Sequence, residues 1–104
     1  MKNYFVYILK CSDNSYYTGF TNNIERRLAE HLNGVNTNCY TFNKRPLSLV
    51  WFEMFNDVNN AIFLEKQIKG WSRRKKEALI NQDWDKLVAY SKNYTQFGNY
   101  IKKI

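Results

Sequence analysis

Two tyrosine-rich segments separated by a short polar turn constrain the fold more than any other part of this chain. Residues 4–9 (YFVYIL) and 16–20 (YYTGF) are rich in the aromatic and β-branched residues that favour strands. Between them lie Asp13 and Asn14, which tolerate left-handed backbone angles and bond their own main chain. The pattern predicts an antiparallel β-hairpin with a tight connection.

A basic amphipathic segment follows the hairpin directly. Asn22 or Asn23 can cap a helix there, and apolar residues recur at positions 24, 28 and 32, the spacing of one helical face. Gly34 is the natural left-handed residue to end that helix. We therefore predict a helix from about residue 24 to residue 33.

The side-chain directions of the hairpin and the helix bring four polar groups to one rim. Strand alternation lets Tyr7 and Tyr17 face each other across the hairpin, beside Gly19, which leaves space for the backbone of a ligand. On the helix, Arg27 and His31 lie one turn apart along one edge of the apolar stripe. Two phenols, a guanidinium and an imidazole are thus expected to meet.

The composition bounds the class of protein. The 104 residues, of which 44% are apolar, fit one domain with a modest core, and the net charge of +7 indicates a polyanionic partner such as nucleic acid. A basic surface without a partner is the alternative. Cys11 and Cys39 match no metal or disulfide spacing, which favours reduced thiols in the cytoplasm. No signal peptide is recognisable at the first residues, and no apolar run approaches the ~20 residues that span a bilayer.

A loop and a third strand come next. Residues 35–46 form a polar loop, in which Lys44 and Arg45 are candidates for contact with phosphate, although a merely solvated loop fits as well. Residues 47–55 follow as a strand whose two faces are both mostly apolar, so we expect this strand to be covered on both sides.

A carboxylate inside an apolar stripe marks the second helix, which begins near Asp57 and runs to about Lys69. Glu65 falls among the apolar residues Leu64 and Ile68 on the helical wheel. Burying an unpaired carboxylate costs at least several kcal/mol, so Glu65 requires a metal ion, a basic partner or a water-filled cleft. A buried salt bridge, for instance to Arg27, is the alternative to a functional role.

Six positive charges within eleven positions follow Glu65. Such a run is usually a solvated face, but its place beside Glu65 favours a surface that tracks nucleic-acid phosphates. Beyond this run, the sequence predicts a helix capped by Ser72 and a short helix near Trp84. We predict a main domain of residues 1–90, followed by a peripheral helix or tail over residues 91–104. The six positive charges that follow Glu65 are those of Lys66, Lys69, Arg73, Arg74, Lys75 and Lys76.

The order and spacing of these motifs resemble the GIY-YIG nuclease superfamily, and within it the small single-domain bacterial members of the URI type. The matching positions are Phe5-Val6-Tyr7, Tyr17-Thr18-Gly19, Arg27, and Glu65 in the segment EKQIKGW. The chain departs from the family pattern at Phe5 and Thr18, and at Cys39, where related proteins often carry lysine. Asn81 is the candidate counterpart of the family's late asparagine.

The resemblance implies an α+β fold, in which a small three-stranded antiparallel sheet is flanked by helices in the order β-β-α-β-α-α. It also implies a DNA endonuclease that hydrolyses phosphodiester bonds with a divalent metal, Mg²⁺ or Mn²⁺, in DNA repair or processing. Nicked, branched or single-stranded DNA is the expected substrate, with structural selectivity or weak sequence specificity. The alternative is a non-catalytic nucleic-acid-binding module recruited by a partner.

The same resemblance assigns roles to the candidate catalytic residues. Glu65 holds the metal ion, and Arg27 holds the scissile phosphate through its planar fork. Tyr7 takes the proton from the attacking water. Tyr17 orients that water or the phosphate, while His31 supports the site by hydrogen bonding or as a proton relay. Plain core packing is the alternative for each tyrosine taken alone, and a satisfied helix residue is the alternative for His31.

Overall fold

The computed structural model describes residues 2–91, which alternate strands and helices as an α+β fold. A three-stranded antiparallel sheet has the order β2-β1-β3, as expected. A 3-10 turn at Phe42–Lys44 interrupts the loop before the third strand. The elements in chain order are β1 (Tyr4–Lys10), β2 (Tyr16–Thr21), α1 (Ile24–Asn33), β3 (Ser48–Phe55), α2 (Val58–Lys69), α3 (Arg73–Ile80) and α4 (Trp84–Ser91).

The chain divides into two compact units, Met1–Gly70 and Trp71–Ile104. The first unit contains the sheet, α1 and α2, and the described part of the second contains α3 and α4. The predicted main domain of residues 1–90 spans both units, and this boundary stays a prediction. Apart from Ser91, the predicted terminal segment lies outside the described residues. Within residues 2–91, no helix is both long enough and apolar enough to cross a bilayer.

The hairpin forms with the register that positions its tyrosines. Asn14 adopts a left-handed φ of 68° in the turn, and the Cys11 N–H donates to the Ser15 carbonyl at 2.8 Å. Tyr7 pairs with Gly19, and Tyr17 lies opposite the residue two positions after Tyr7. The two tyrosines are therefore diagonal neighbours on one face of the sheet rather than directly opposed, and their ring centroids are 6.3 Å apart.

Helices cover the two faces of the sheet. On the face of Tyr7 and Leu9, partly buried Ile24 and Leu28 of α1 pack against a buried cluster that also includes Cys11. Residues of β1 that point to the opposite face, such as Val6 and Ile8, are fully buried, and α2 packs against all three strands. Most of β1 is thus buried on both sides, which fixes Tyr7 in the interior.

The expectation that β3 is covered on both sides is wrong. Phe52 and Met54 are 52% and 48% exposed. They pair with Tyr7 and Phe5, so they lie on the face of the sheet that α1 covers. However, β3 is an edge strand, and the cluster beneath α1 centres on β1. The outer part of this face therefore stays open along β3.

The helix ends follow the sequence signals. The side chain of Asn23 accepts from the Arg26 N–H and caps α1, which ends at Gly34 with a φ of 64°. Asp57 caps α2 by accepting from the Asn59 N–H, and Ser72 caps α3. These caps fix where α1, α2 and α3 begin, and Gly34 fixes where α1 ends.

Candidate active site

A buried hydrogen-bonded chain lies at the centre of the first unit. The Tyr7 hydroxyl lies 2.9 Å from Nε2 of His31, and Nδ1 of the same imidazole lies 2.8 Å from Oγ1 of Thr41. All three residues are buried, at 1%, 6% and 1% exposed respectively. The predicted meeting of the phenol and the imidazole is therefore present, although both groups are screened from solvent.

Burial governs the protonation of this pair. Removal from water raises the pKa of Tyr7 well above its usual value, and the nearby Tyr17 adds to the rise, while the charge of Arg27 and a hydrogen bond from it oppose it. Burial also lowers the pKa of His31, and the positive charge of Arg27 lowers it further. At neutral pH the pair is a protonated phenol beside a neutral imidazole.

Tyr17 is the phenol at the edge of the buried chain. Its ring packs edge-on against His31 at 5.2 Å and stacks on exposed Tyr40 at 6.1 Å. Its side chain is only partly buried. Burial and Cys39 raise the pKa of Tyr17, whereas the charges of Lys69 and Arg27 act to lower it. Cations of both α2 and α1 therefore offset part of the rise in the pKa of this hydroxyl.

The space expected beside Gly19 is not free for a ligand. The ring of Tyr7 itself fills it, because the two residues are cross-strand partners. The room that a glycine provides here is used for packing within the hairpin.

Arg27 joins the buried chain to the surface. Its side chain is 39% exposed, and its Nε lies 3.2 Å from Oε1 of Glu30. That contact lacks the alignment of a hydrogen bond, so within the described part of the chain the buried Nε–H has no hydrogen-bond partner. Arg27 and Glu30 line a cavity of about 120 Å³, together with His31 and Thr41. A guanidinium in this setting can still take an anionic acceptor.

Glu65 has a basic partner, but that partner is not Arg27. The Glu65 side chain is 14% exposed, which agrees with its predicted inward position, and its Oε2 lies 2.5 Å from Nζ of Lys69 one turn later. The described residues contain no group of three or more metal-ligating side chains. A single carboxylate nevertheless suits a hard cation such as Mg²⁺, which keeps several waters and takes further oxygen ligands from phosphate.

The two basic residues of the loop are held by internal contacts. Nζ of Lys44 lies 2.6 Å from Oδ2 of Asp13, and the pair raises the pKa of Lys44. Nε of Arg45 donates to the Phe42 carbonyl at 3.0 Å, and its guanidinium lies over the Phe42 ring. Both residues help to fix the loop beside the hairpin, and their contact with phosphate stays a prediction.

The basic run is divided between the two units and is not uniformly exposed. Lys66 and Lys69 are exposed on α2, and the other four residues belong to α3. The prediction that Lys75 belongs to the surface that tracks phosphates is wrong. Lys75 is only 5% exposed, and its ammonium lies 4.9 Å from the Trp71 ring centroid. Its position on the inner face of α3 removes it from any surface that tracks phosphates. Asn81, the candidate late asparagine, is the C-cap of α3.

Sequence reasoning missed Thr41 and Glu30 as parts of the site. Thr41 lies in the connection between α1 and β3, where no periodicity indicates which side chains point inward. Glu30 follows Arg27 by three positions, the spacing of an ordinary ion pair on a helix surface. Only that spacing signalled a partner for Arg27.

Comparison with known proteins identifies the family of this chain. Residues 3–78 match the GIY-YIG catalytic domain family. A UPF0213 protein from Syntrophus aciditrophicus is 46% identical over 86 residues, which cover 83% of this chain and 98% of the relative. A UPF0213 protein from Staphylococcus haemolyticus is 44% identical over 82 residues, with coverages of 79% and 99%.

Two solved structures are also similar. The solution NMR structure of a UPF0213 protein from Bacillus halodurans has 40% sequence identity and a TM-score of 0.52, and the match covers 77% of this chain and 84% of that one. The solution NMR structure of a protein from E. faecalis has 32% identity and a TM-score of 0.56, with coverages of 79% and 86%. From the sequence match and the shared fold, this chain belongs to the GIY-YIG nuclease superfamily and, within it, to the UPF0213 proteins.

Proposed function

We propose that this protein is a metal-dependent DNA endonuclease that hydrolyses phosphodiester bonds, with weak sequence specificity or selectivity for nicked or branched DNA, in DNA repair or processing. One observation carries the proposal. The Arg27 guanidinium, whose Nε–H has no hydrogen-bond partner in the described part of the chain, lines a cavity with His31, and that imidazole is hydrogen-bonded to Tyr7 and packs against Tyr17. Packing alone does not require a guanidinium with an unused donor beside an imidazole and two phenols.

Arg27 is the residue that we assign to the scissile phosphate. Its guanidinium is partly exposed, and its existing contact with Glu30 lacks hydrogen-bond alignment. A phosphate oxygen offers a charged acceptor that a planar guanidinium binds through two donors. The same group stabilises the negative charge that develops on the phosphoryl oxygens during attack.

Tyr17 rather than Tyr7 is then the phenol that meets the attacking water. A general base must come within hydrogen-bond reach of the proton that it takes, and Tyr7 is only 1% exposed. Tyr17 is partly exposed, and the charges of Arg27 and Lys69 offset part of the rise in its pKa that burial and Cys39 cause. A bound divalent cation would favour the phenolate further. In this assignment Tyr17 reacts as the phenolate, and the water proton goes to the Tyr17 oxygen as the water oxygen attacks phosphorus. The departing alkoxide takes a proton from solvent.

Tyr7 and His31 are buried and support this chemistry without contacting the substrate. The charge of Arg27 acts on the buried Tyr7 hydroxyl, which is hydrogen-bonded to His31, so we assign Tyr7 to orienting the guanidinium without touching the substrate. Glu65 is the ligand for the divalent cation, which neutralises charge on the phosphoryl oxygens when it is bound. Because Glu65 is a single carboxylate paired with Lys69, we expect weak metal affinity in the absence of DNA.

The charge of the protein supports a nucleic-acid substrate. The net charge is +7, and exposed basic residues flank the site on α2. Lysine and arginine contacts to phosphates supply sequence-independent affinity that falls as salt rises. The alternative function, a nucleic-acid-binding module without catalysis, draws on the same charge, and in it Glu65 is only the ion-pair partner of Lys69.

The proposal is tested with the purified full chain on nicked, branched and single-stranded DNA, with Mg²⁺ or Mn²⁺ against a chelator. We expect metal-dependent cleavage that falls about a hundredfold or more in Glu65→Gln and Tyr17→Phe. DNA binding at low salt should be largely retained in both variants. Tyr7→Phe should reduce cleavage less than Tyr17→Phe does.

Matched controls separate the site from general effects. Glu25→Gln removes an exposed carboxylate from the first turn of α1, and Tyr4→Phe removes a hydroxyl from β1 outside the buried chain. Both should cut like the parent. Undiminished cutting by Glu65→Gln and Tyr17→Phe would refute the mechanism. Salt-sensitive binding without cutting of any DNA would favour the alternative function.

A further inference from the structure

Thr41 is a buried threonine whose hydroxyl ends the hydrogen-bonded chain behind the site. It lies in the connection between α1 and β3, directly before the 3-10 turn. The Lys44 N–H donates to the Thr41 carbonyl at 3.0 Å, and the Ser12 N–H donates to the Lys44 carbonyl at 2.9 Å. Main-chain hydrogen bonds therefore fasten Thr41 to the hairpin turn, and its hydroxyl has a fixed position.

The donors and acceptors set the direction of the chain. Tyr7 is buried, so its hydroxyl hydrogen requires an acceptor within the protein. Among the described contacts of Tyr7, Nε2 of His31 is the acceptor for its hydroxyl hydrogen, at 2.9 Å. A neutral imidazole carries one N–H. Because Nε2 accepts, Nδ1 carries the hydrogen and donates to Oγ1 of Thr41 at 2.8 Å.

Cys39 is the competing partner for that N–H. Its Sγ lies 3.9 Å from Nδ1 of His31, and 3.4 Å from Oγ1 of Thr41. Sulfur is a weak acceptor, and its distance from Nδ1 is longer by more than 1 Å than the Thr41 distance. Sγ is better placed to receive the hydroxyl hydrogen of Thr41. The Thr41 oxygen can accept from His31 with or without that contact, because a hydroxyl oxygen has two acceptor lone pairs.

We propose that Thr41 is a positioning residue that holds His31 in the tautomer protonated at Nδ1. This tautomer keeps Nε2 available for the Tyr7 hydroxyl, which leaves the Tyr7 oxygen free to accept from Arg27. Thr41 thereby acts on the guanidinium through two other side chains. Its consequence for DNA cleavage rests on the proposed function, whereas its effect on the tautomer does not.

The tautomer is measured directly, because His31 is the single histidine of the chain. Long-range ¹H–¹⁵N NMR of the ¹⁵N-labelled full chain at neutral pH distinguishes the two imidazole tautomers. We expect protonation at Nδ1 in the parent and in Thr41→Ser, which keeps the hydroxyl. Thr41→Val has nearly the same shape without a hydroxyl, and it should lose the preference for Nδ1. If the valine variant does not fold, Thr41→Ala makes the same test.

Cys39→Ala is the matched control, and it should keep the parent tautomer. Protonation at Nε2 in the parent would overturn the proposal. An unchanged tautomer in folded Thr41→Val or Thr41→Ala would also overturn it, as would a change in Cys39→Ala alone. Each of these results stands without any measurement of activity.

Cleavage then tests the consequence. In single turnover, Thr41→Val should cut DNA about tenfold more slowly than the parent, while Thr41→Ser should be close to the parent. A changed tautomer with an unchanged cleavage rate would overturn the positioning role. If the parent cuts no DNA, the proposed function fails, and the tautomer result still decides what Thr41 does to His31.

Discussion

The ring of Tyr7 lies against the backbone of Gly19, its cross-strand partner in the hairpin. A Cβ atom built on Gly19 would fall less than 3.0 Å from both Cζ and the hydroxyl oxygen of Tyr7, which is closer than real Cβ atoms come to their neighbours. The glycine is therefore required so that the Tyr7 hydroxyl can reach Nε2 of His31 at 2.9 Å.

Gly19→Ala should consequently displace the Tyr7 ring. Because the ring is buried in a packed core, we expect a loss of about 1–3 kcal/mol in the free energy of unfolding, the usual cost of overpacking. Urea denaturation followed by tryptophan fluorescence measures this loss. Cleavage should fall as well, since Tyr7 orients Arg27.

Gly70→Ala is the matched control for this substitution. Gly70 has a right-handed helical backbone, and the nearest atom to an added Cβ is the Gln67 carbonyl oxygen at 3.6 Å, an ordinary contact. We expect no destabilisation and a gain of up to about 1 kcal/mol from a less flexible unfolded chain. Equal losses in the two variants would contradict the role given to Gly19.

His31 should make the fold sensitive to acid. Burial and Arg27 lower its folded-state pKa below the usual 6.5, so the unfolded chain binds the proton more readily. The contribution of neutral His31 is complete above pH 6.5 and is lost as the pH falls from there through the folded-state pKa. Unfolding measured in urea at a series of pH values between about 8 and 5 tests this dependence.

His31→Gln separates this effect from the titration of carboxylates. Glutamine keeps a polar side chain but binds no proton in this range. The difference in unfolding free energy between the parent and His31→Gln should shrink as the pH falls below 6.5. A difference that stays constant over the whole range would show that His31 does not titrate abnormally.

Lys69 should compete with the metal ion for Glu65. Its ammonium lies 2.5 Å from the carboxylate, but it is 54% exposed, so solvent weakens the pair. Lys69→Gln removes that competitor, and we expect Mn²⁺ to bind about two- to fivefold more tightly in the absence of DNA. Calorimetric titration measures the affinity. Lys66→Gln, on the exposed side of the same helix, should leave it unchanged, and equal gains in both variants would point to general charge instead.

The elements of the first unit were predictable because local signals repeat in them. Alternating aromatic residues indicated β1 and β2, and Asn23 and Gly34 marked the ends of α1. The placement of Tyr7 and Tyr17 on one face followed from the period of a strand. Local patterns set these features, so tertiary packing did not need to be known.

Other features depend on contacts between distant residues, and the sequence pattern did not determine them. The apolar residues Phe52 and Met54 stay exposed because β3 is an edge strand, which strand composition does not reveal. The burial of Tyr7 and the role of Thr41 likewise follow from how the loop and α1 enclose the hairpin. By contrast, Lys69 lies one helical turn after Glu65, so that ion pair is a local contact that the residue spacing already indicates.

The basic residues of α3 allow the effect of direct contact with DNA to be separated from the effect of net charge on DNA binding. Arg74 is exposed, with its guanidinium 4.4 Å from the Tyr90 ring centroid, whereas its neighbour Lys75 is buried. If α3 contacts DNA, Arg74→Gln should reduce the slope of log affinity against log salt by about 1, the value for one phosphate contact. Lys75→Met removes the same charge from the inner face, where burial already lowers the pKa of Lys75, and it should leave the slope unchanged. Fluorescence anisotropy with labelled DNA over a series of salt concentrations measures both slopes, and equal reductions would mean that net charge, rather than direct contact, controls binding.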